Sequence, residues 1–130
     1  MTIRHTVAAL LLLALTAGCA TSSPQPTRSE FEDIPVANGL TYQPSKSTII
    51  ESPTVKAARL VYRGRVEVDS LAVAMRTALE ANGWRYVSST STADHGIMQV
   101  YEKAGNPLEV RLTDGWWYTY CELTISRTKQ

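Results

Sequence analysis

Beyond the N-terminal stretch that holds His5 and Cys19, this 130-residue sequence has one cysteine and one histidine, the types that make a nucleophile and its base: Cys121 and His95. A reactive thiolate needs a base within hydrogen-bond reach and an electropositive, partly open setting. Neither condition is expected here. Trp117, Thr119, Cys121, Leu123 and Ile125 alternate with Tyr118, Tyr120, Glu122 and Thr124. That period turns Cys121 into a core as a small hydrophobe. His95 stands in a polar loop between Asp94 and Gly96. Glu109 and Glu122 are the carboxylates placed to face each other, and acid/base work would need a cleft that drives their pKa values apart. On outward positions of a hairpin, with Arg63, Arg65 and Arg111 around them, they read as cross-strand ion pairs. One histidine and one free cysteine fall short of a Cys/His zinc set. No catalytic residue, metal or cofactor is expected.

Binding is better served. Alternation turns Trp117 inward and leaves Trp116, Tyr118 and Tyr120 on the opposite face with Arg63 and Arg111. Tyr, Trp and Arg are the residues that anchor interfaces, and sugar rings or peptides could also stack on them. Two arrangements are open: this face is an interaction surface, or the segment Ile34 to Thr48 folds back and covers it.

The elements that would position these residues make an α+β domain. Leu71, Ala74, Met75, Ala78 and Leu79 fall on one stripe of a helix spanning about Ser70 to Asn82. Asp69 is placed as its N-cap, and Asn82-Gly83 ends it. Around it lie strand signals: Thr41–Tyr42, limited by Pro44 to an edge; Thr48 to Glu51; Ala57 to Val68, with Gly64 as a candidate bulge; Trp84 to Ser89; and Ile97 to Lys103. Leu108, Val110 and Leu112 then alternate with Glu109, Arg111 and Thr113, and Asp114-Gly115 is a hairpin turn. The expected architecture is a two-layer sandwich, one helix on a mainly antiparallel sheet of four to six strands.

Composition and the N-terminus bear on location. Arg4 precedes an apolar run, Val7 to Ala17, of eleven residues, well short of the ~20 a membrane-spanning helix needs. Small residues Ala17 and Gly18 precede Cys19, as cleavage requires. Residues 1–18 are therefore expected to be a signal peptide. Cys19 with the Ser-, Thr- and Pro-rich stretch to Asp33 would be a tether, and 34–130 a single domain. From Ala20 the tether reaches at most ~50 Å, and ~20 Å as a coil. Of thirteen Lys and Arg, only Arg4 leaves with the signal, so twelve cations face twelve acids. A neutral chain argues against nucleic acid, and it offers no polybasic patch for anionic lipid.

Leu15-Thr16-Ala17-Gly18-Cys19 resembles a bacterial lipobox, with Thr16 where the common pattern has Leu. The resemblance implies a lipidated Cys19 that holds the protein to a membrane. Ala20 after the cysteine implies the periplasmic face of an outer membrane, or the plain cell membrane if the host has one. From about Asp33 to Arg127 the chain resembles a group of small lipoproteins of unknown function. The residues that carry this are Ile34-Pro35-Val36, the Ala58 to Gly64 strand, Gly83-Trp84 and Tyr101-Glu102-Lys103. The element order loosely resembles the helix-grip domains of an accessory lipoprotein of the outer-membrane β-barrel assembly machine. These resemblances imply a lipid-anchored envelope protein with a non-enzymatic protein-interaction or structural module. The alternative is a periplasmic lipoprotein binding a small ligand, a peptidoglycan fragment or lipid, between helix and sheet.

Overall fold

The computed structural model describes residues 31–129. The expected signal segment, Cys19 and the expected tether up to residue 30 lie outside them. The described chain runs β1 (Thr41–Tyr42), β2 (Thr48–Glu51), β3 (Val55–Gly64), α1 (Val68–Ala81), β4 (Arg85–Ser91), β5 (Ile97–Lys103), β6 (Asn106–Asp114) and β7 (Thr119–Thr128). All strand pairs are antiparallel, in the order β1-β3-β7-β6-β5-β4, with β2 also paired to β3. The fold is α+β, one helix packed against a seven-stranded sheet. The expected four to six strands are exceeded because two short segments share one neighbour. Pro44 opens a 3-10 turn, Pro44–Lys46, that splits this edge. Thr41 then pairs with Arg63 and Thr48 with Arg59. Across the break Gln43 donates its backbone N–H to the Val61 carbonyl at 2.8 Å, and the Val61 N–H bonds the Ser47 Oγ at 2.9 Å.

Helix α1 starts earlier than the sequence suggests. Glu67, not Asp69, caps it, its carboxylate accepting the N–H groups of Asp69 and Ser70 at 2.8 Å each. These backbone bonds favour the charged form and hold the Glu67 carboxyl down at about 2. The end is as expected: Gly83 takes φ +83°, a left-handed turn that glycine adopts without strain, and the Trp84 N–H returns to the Leu79 carbonyl at 3.0 Å. Leu71, Ala72, Met75 and Leu79 are the buried positions. Ala74, placed on the stripe by spacing, is exposed.

The inner sheet face presents Ala58, Leu60 and Tyr62 from β3, Leu108, Val110 and Leu112 from β6, and Cys121, Leu123 and Ile125 from β7. Helix α1 lies over β4, β5 and β6. The chain leading to β1 contributes to the same core through Phe31, Ile34, Val36 and Ala37, and the Ala37 N–H meets the Met75 Sδ at 3.4 Å. Phe31, read as tether, is 1% exposed. The Lys56 Nζ lies 5.9 Å and the Arg127 Cζ 5.3 Å from its ring centroid, and Arg127 bonds Asp33 at 2.6 Å. Folded structure thus includes Phe31 to Asp33, three residues of the stretch assigned to the tether.

Gly64 is no bulge. The β3–β7 register runs unbroken from Val55↔Thr128 to Gly64↔Thr119. It is glycine because the backbone of Gly39 crosses directly above, where a Cβ would fall on the Gly39 carbonyl oxygen. The register shift in the sheet lies between Tyr86 and Ser88, on β4.

Candidate interaction surface

Outward residues of β3, β7 and β6 build the surface. Arg63 pairs in register with Tyr120, Val61 with Glu122 and Arg59 with Thr124. Arg111 opposes Glu122, and Thr113 opposes Tyr120. At its centre Arg59 grips Glu122 with two bonds, Nε to Oε1 at 2.6 Å and Nη2 to Oε2 at 2.5 Å. Arg111 stands 3.7 Å from Glu109. Glu122 forms the expected cross-strand pair, with Arg59 instead of Arg63 or Arg65, whereas Glu109 meets Arg111 of its own strand and not an arginine across the sheet.

Freed from that pairing, Arg63 and Arg65 turn to the aromatic end. The Arg63 Cζ lies 4.7 Å and the Arg65 Cζ 5.5 Å from the centroid of Tyr118, and the Lys46 Nζ lies 4.7 Å over Tyr120. Cations over tyrosine faces are held by the ring quadrupole while keeping their charge available. Among the described residues, the ion pairs are those of Arg59, Arg76, Arg85, Arg111, Arg127 and Lys129. Lys46, Arg63 and Arg65 take no carboxylate partner there. Beside them an open groove of about 570 Å³ is lined by Ser45, Lys46, Val61, Thr113 and Tyr120, with the Arg59–Glu122 pair across it.

Trp117 does not face inward as its spacing predicts. It is 71% exposed and Trp116 90%. The β6–β7 ladder ends at Asp114↔Thr119, and the Gly115 N–H closes a turn on the Tyr118 carbonyl at 3.1 Å. Both tryptophans sit in this turn, beyond the strand whose alternation assigns them faces. Of the residues placed together by sequence, the structure joins Tyr118, Tyr120 and Arg63. It sets Trp116 on the adjoining turn and draws Arg111 toward Glu109 and the Met98 Sδ. It adds Lys46, Arg65 and Trp117. Lys46 carries no periodic signal, since the turn after Pro44 delivers it to Tyr120.

The segment Ile34 to Thr48 covers this face only at one margin. Its first part packs in the core and its second forms the sheet edge, while Ser45, Lys46 and Thr48 rim the groove and Lys46 leans over Tyr120.

Comparison with protein-family models, with curated proteins and with solved structures found nothing that matches this chain. The functional reading therefore rests on the geometry.

Cys121 and His95 do not form a pair. Cys121 is fully buried, and burial pushes its thiol up to about 12, leaving almost no thiolate at neutral pH. His95 is exposed, with φ 55°, in the β4–β5 turn. It lines an open depression with Glu67, Asp69 and Asp114 on the helix side of the domain. Among the described residues, no group of three or more His, Cys, Asp or Glu side chains is placed to hold a metal. Nor is any helix there long and apolar enough to cross a membrane. Between helix and sheet, Leu71, Met75, Leu79, Tyr101, Val110 and Leu112 all reach 0% exposure. Those side chains meet no solvent between helix and sheet.

Proposed function

We propose that this protein is a lipid-anchored, non-enzymatic component of the cell envelope. Its domain, a two-layer sandwich, binds another envelope protein through the outer sheet face. Cys19 carries the lipid, Ala20 directs it to the periplasmic face of an outer membrane, and the tether keeps the domain near the bilayer. A host with one membrane would hold it at that membrane instead. The observation that carries the binding assignment is the group Tyr118, Tyr120, Arg63, Arg65 and Lys46. Its cations stack on aromatic rings and take no carboxylate partner among the described residues. Aromatic and arginine side chains so arranged are the usual anchors of protein interfaces. Trp116 and Trp117, exposed beside the group, extend it by apolar area that isolated domains seldom leave in water.

Two measurements test this. Cys19→Ser should release the protein from membranes, and retention after signal cleavage would refute the anchor. In-cell crosslinking of the tethered protein should capture a discrete envelope partner that is lost in Trp116→Ala and Tyr120→Ala. Unchanged crosslinks in both variants would refute the face.

A further inference from the structure

We infer that the partner is acidic, and that it docks on the outer side of the β6–β7 hairpin, at the pole of the domain farthest from its membrane tether. The inference rests on the interaction-surface reading and deepens it in two respects, the charge of the partner and the direction from which it approaches.

Charge is segregated across this hairpin although the chain as a whole is balanced. On the outer side stand Lys46, Arg63 and Arg65, stacked on Tyr118 and Tyr120 and without carboxylate partners among the described residues. On the helix side stand Glu67 and Asp69, in one depression with Asp114, which stands at the hairpin's end and also borders the turn of Arg65, Trp116 and Tyr118. An acidic protein segment gains attraction on the first side and repulsion on the second. It is thereby drawn to the outer side, along the groove between the Pro44–Lys46 turn and Thr113, while the exposed Trp116 and Trp117 border a separate shallow depression with Arg65 and Tyr118 and offer an apolar contact there. An anionic bilayer is the poorer occupant, because a membrane pressed against this pole would meet the acids together with the cations. A basic partner would meet three cations that take no carboxylate among the described residues.

The pole is set by the register. Phe31, where the described chain enters the core, lies against Lys56 and Arg127, and these two pair across β3 and β7. Tyr118 and the tryptophans lie beyond the other end of the same pair, past Gly64↔Thr119. Eight residue steps along β7, from Thr119 to Arg127, separate the ends, which at ~3.4 Å per step is about 27 Å. A domain held through Phe31 therefore presents the cationic hairpin away from its anchor.

The full chain in non-ionic detergent tests the proposal with three probes: a short peptide alternating glutamate and leucine, its glutamine analogue, and vesicles of phosphatidylcholine with one-third phosphatidylglycerol. Trp84 is buried and Trp116 and Trp117 are exposed, so tryptophan emission reports contact at the hairpin. The glutamate peptide should bind, and the glutamine analogue should bind on the order of tenfold more weakly. Arg63→Glu and Arg65→Glu should each weaken the glutamate peptide by a similar factor, and molar salt should weaken it further. Asp114→Asn should not weaken it. Equal binding of both peptides, or indifference to both arginine reversals, overturns the acidic partner. Vesicle binding that is stronger than peptide binding and lost in the same arginine variants overturns it in favour of a lipid surface. If the reversals have no effect while Tyr120→Ala still loses its crosslinked partner in cells, the surface reading stands and only the partner's charge is wrong. If neither has an effect, both fall.

Discussion

Phe31→Ala separates two views of where the folded domain begins, and so of where a tether would attach. Sequence composition puts Phe31 in a polar linker. The structure buries it to 1% exposure among core residues, with Lys56 and Arg127 over its ring. Truncating a buried Phe typically costs about 3–5 kcal/mol. Here the lower end applies, because the residue lies where the chain enters the core and its neighbours can relax. The two cation–ring contacts are partly exposed and worth about 0.5–1 kcal/mol each. The Asp33–Arg127 pair adds little, being accessible to water. An expected loss of about 3 kcal/mol is a large part of the 5–15 kcal/mol that holds a domain together.

Urea unfolding, followed by the emission of the buried Trp84, measures it. With a slope near the low end of the usual range, about 1–1.5 kcal/mol per molar, the midpoint should fall by about 2–3 M at unchanged slope. Phe31→Leu keeps most of the volume and should lose about half as much or less. A midpoint shift under about 0.5 M for Phe31→Ala would refute the reasoning. Residues 31–33 would then peel away independently, the cooperative unit would begin at Ile34, and the attachment point would no longer be fixed beside Arg127.

Three further outcomes are expected. In a Cys19→Ser background Cys121 is the sole thiol; its pKa near 12 should slow alkylation at pH 8 by about three orders of magnitude against an unperturbed cysteine, and rapid labelling of the folded protein would contradict its burial. Glu67 has a folded pKa below its unfolded one, so its stabilisation is present above pH 4.5 and lost as pH falls toward about 2; Glu67→Gln should flatten the stability profile in that window, leaving the smaller contributions of Glu51 and Asp94, whose pKa values are also lowered, and an unchanged profile would reject the cap. Gly64→Ala drives a Cβ onto the Gly39 carbonyl oxygen and should cost about 1–3 kcal/mol, or roughly 10 °C of melting temperature, whereas an unaltered melt would show that the Gly39 turn yields freely.

Much of this fold is legible in the chain because one face of most elements is buried. Leu108, Val110 and Leu112 keep strict alternation since each odd neighbour meets water. Gly83-Trp84 announces the helix end through a conformation few other residues adopt. Alternation fails where its cause stops. The period that points Trp117 inward holds only while the ladder holds, and the ladder starts at Thr119. Phe31 escapes for the opposite reason, a lone aromatic in a polar stretch that has no period to place it. The helix cap shifts from Asp69 to Glu67 because the helix begins at Val68, so the free N–H groups of the first turn are those of Asp69 and Ser70, within reach of the Glu67 carboxylate. As for the surface, Tyr118, Tyr120 and Arg63 are readable from spacing. Lys46 and the choice of Arg59 as the partner of Glu122 depend on register and on the Pro44 turn, which spacing within a strand does not encode.

Net charge is a poor guide to such a molecule. Balanced cations and acids suggest a surface without preference, and most of the described arginines do direct their charge to a neighbouring carboxylate. What distinguishes the outer face is that Arg59 satisfies Glu122 completely, with a bond to each oxygen. That leaves Arg63, on the same β3 strand, with no acid to meet among the described residues and a tyrosine ring to lie on. A similar commitment on the helix side ties Glu67 to backbone N–H groups and leaves its charge formally unneutralised. Local hydrogen-bond demand thus sorts charge to opposite sides of the β6–β7 hairpin without changing the total. With the inner face sealed by α1 and the Phe31 to Ala37 segment, that sorted rim and its two exposed tryptophans are where the described domain differs most from an inert surface.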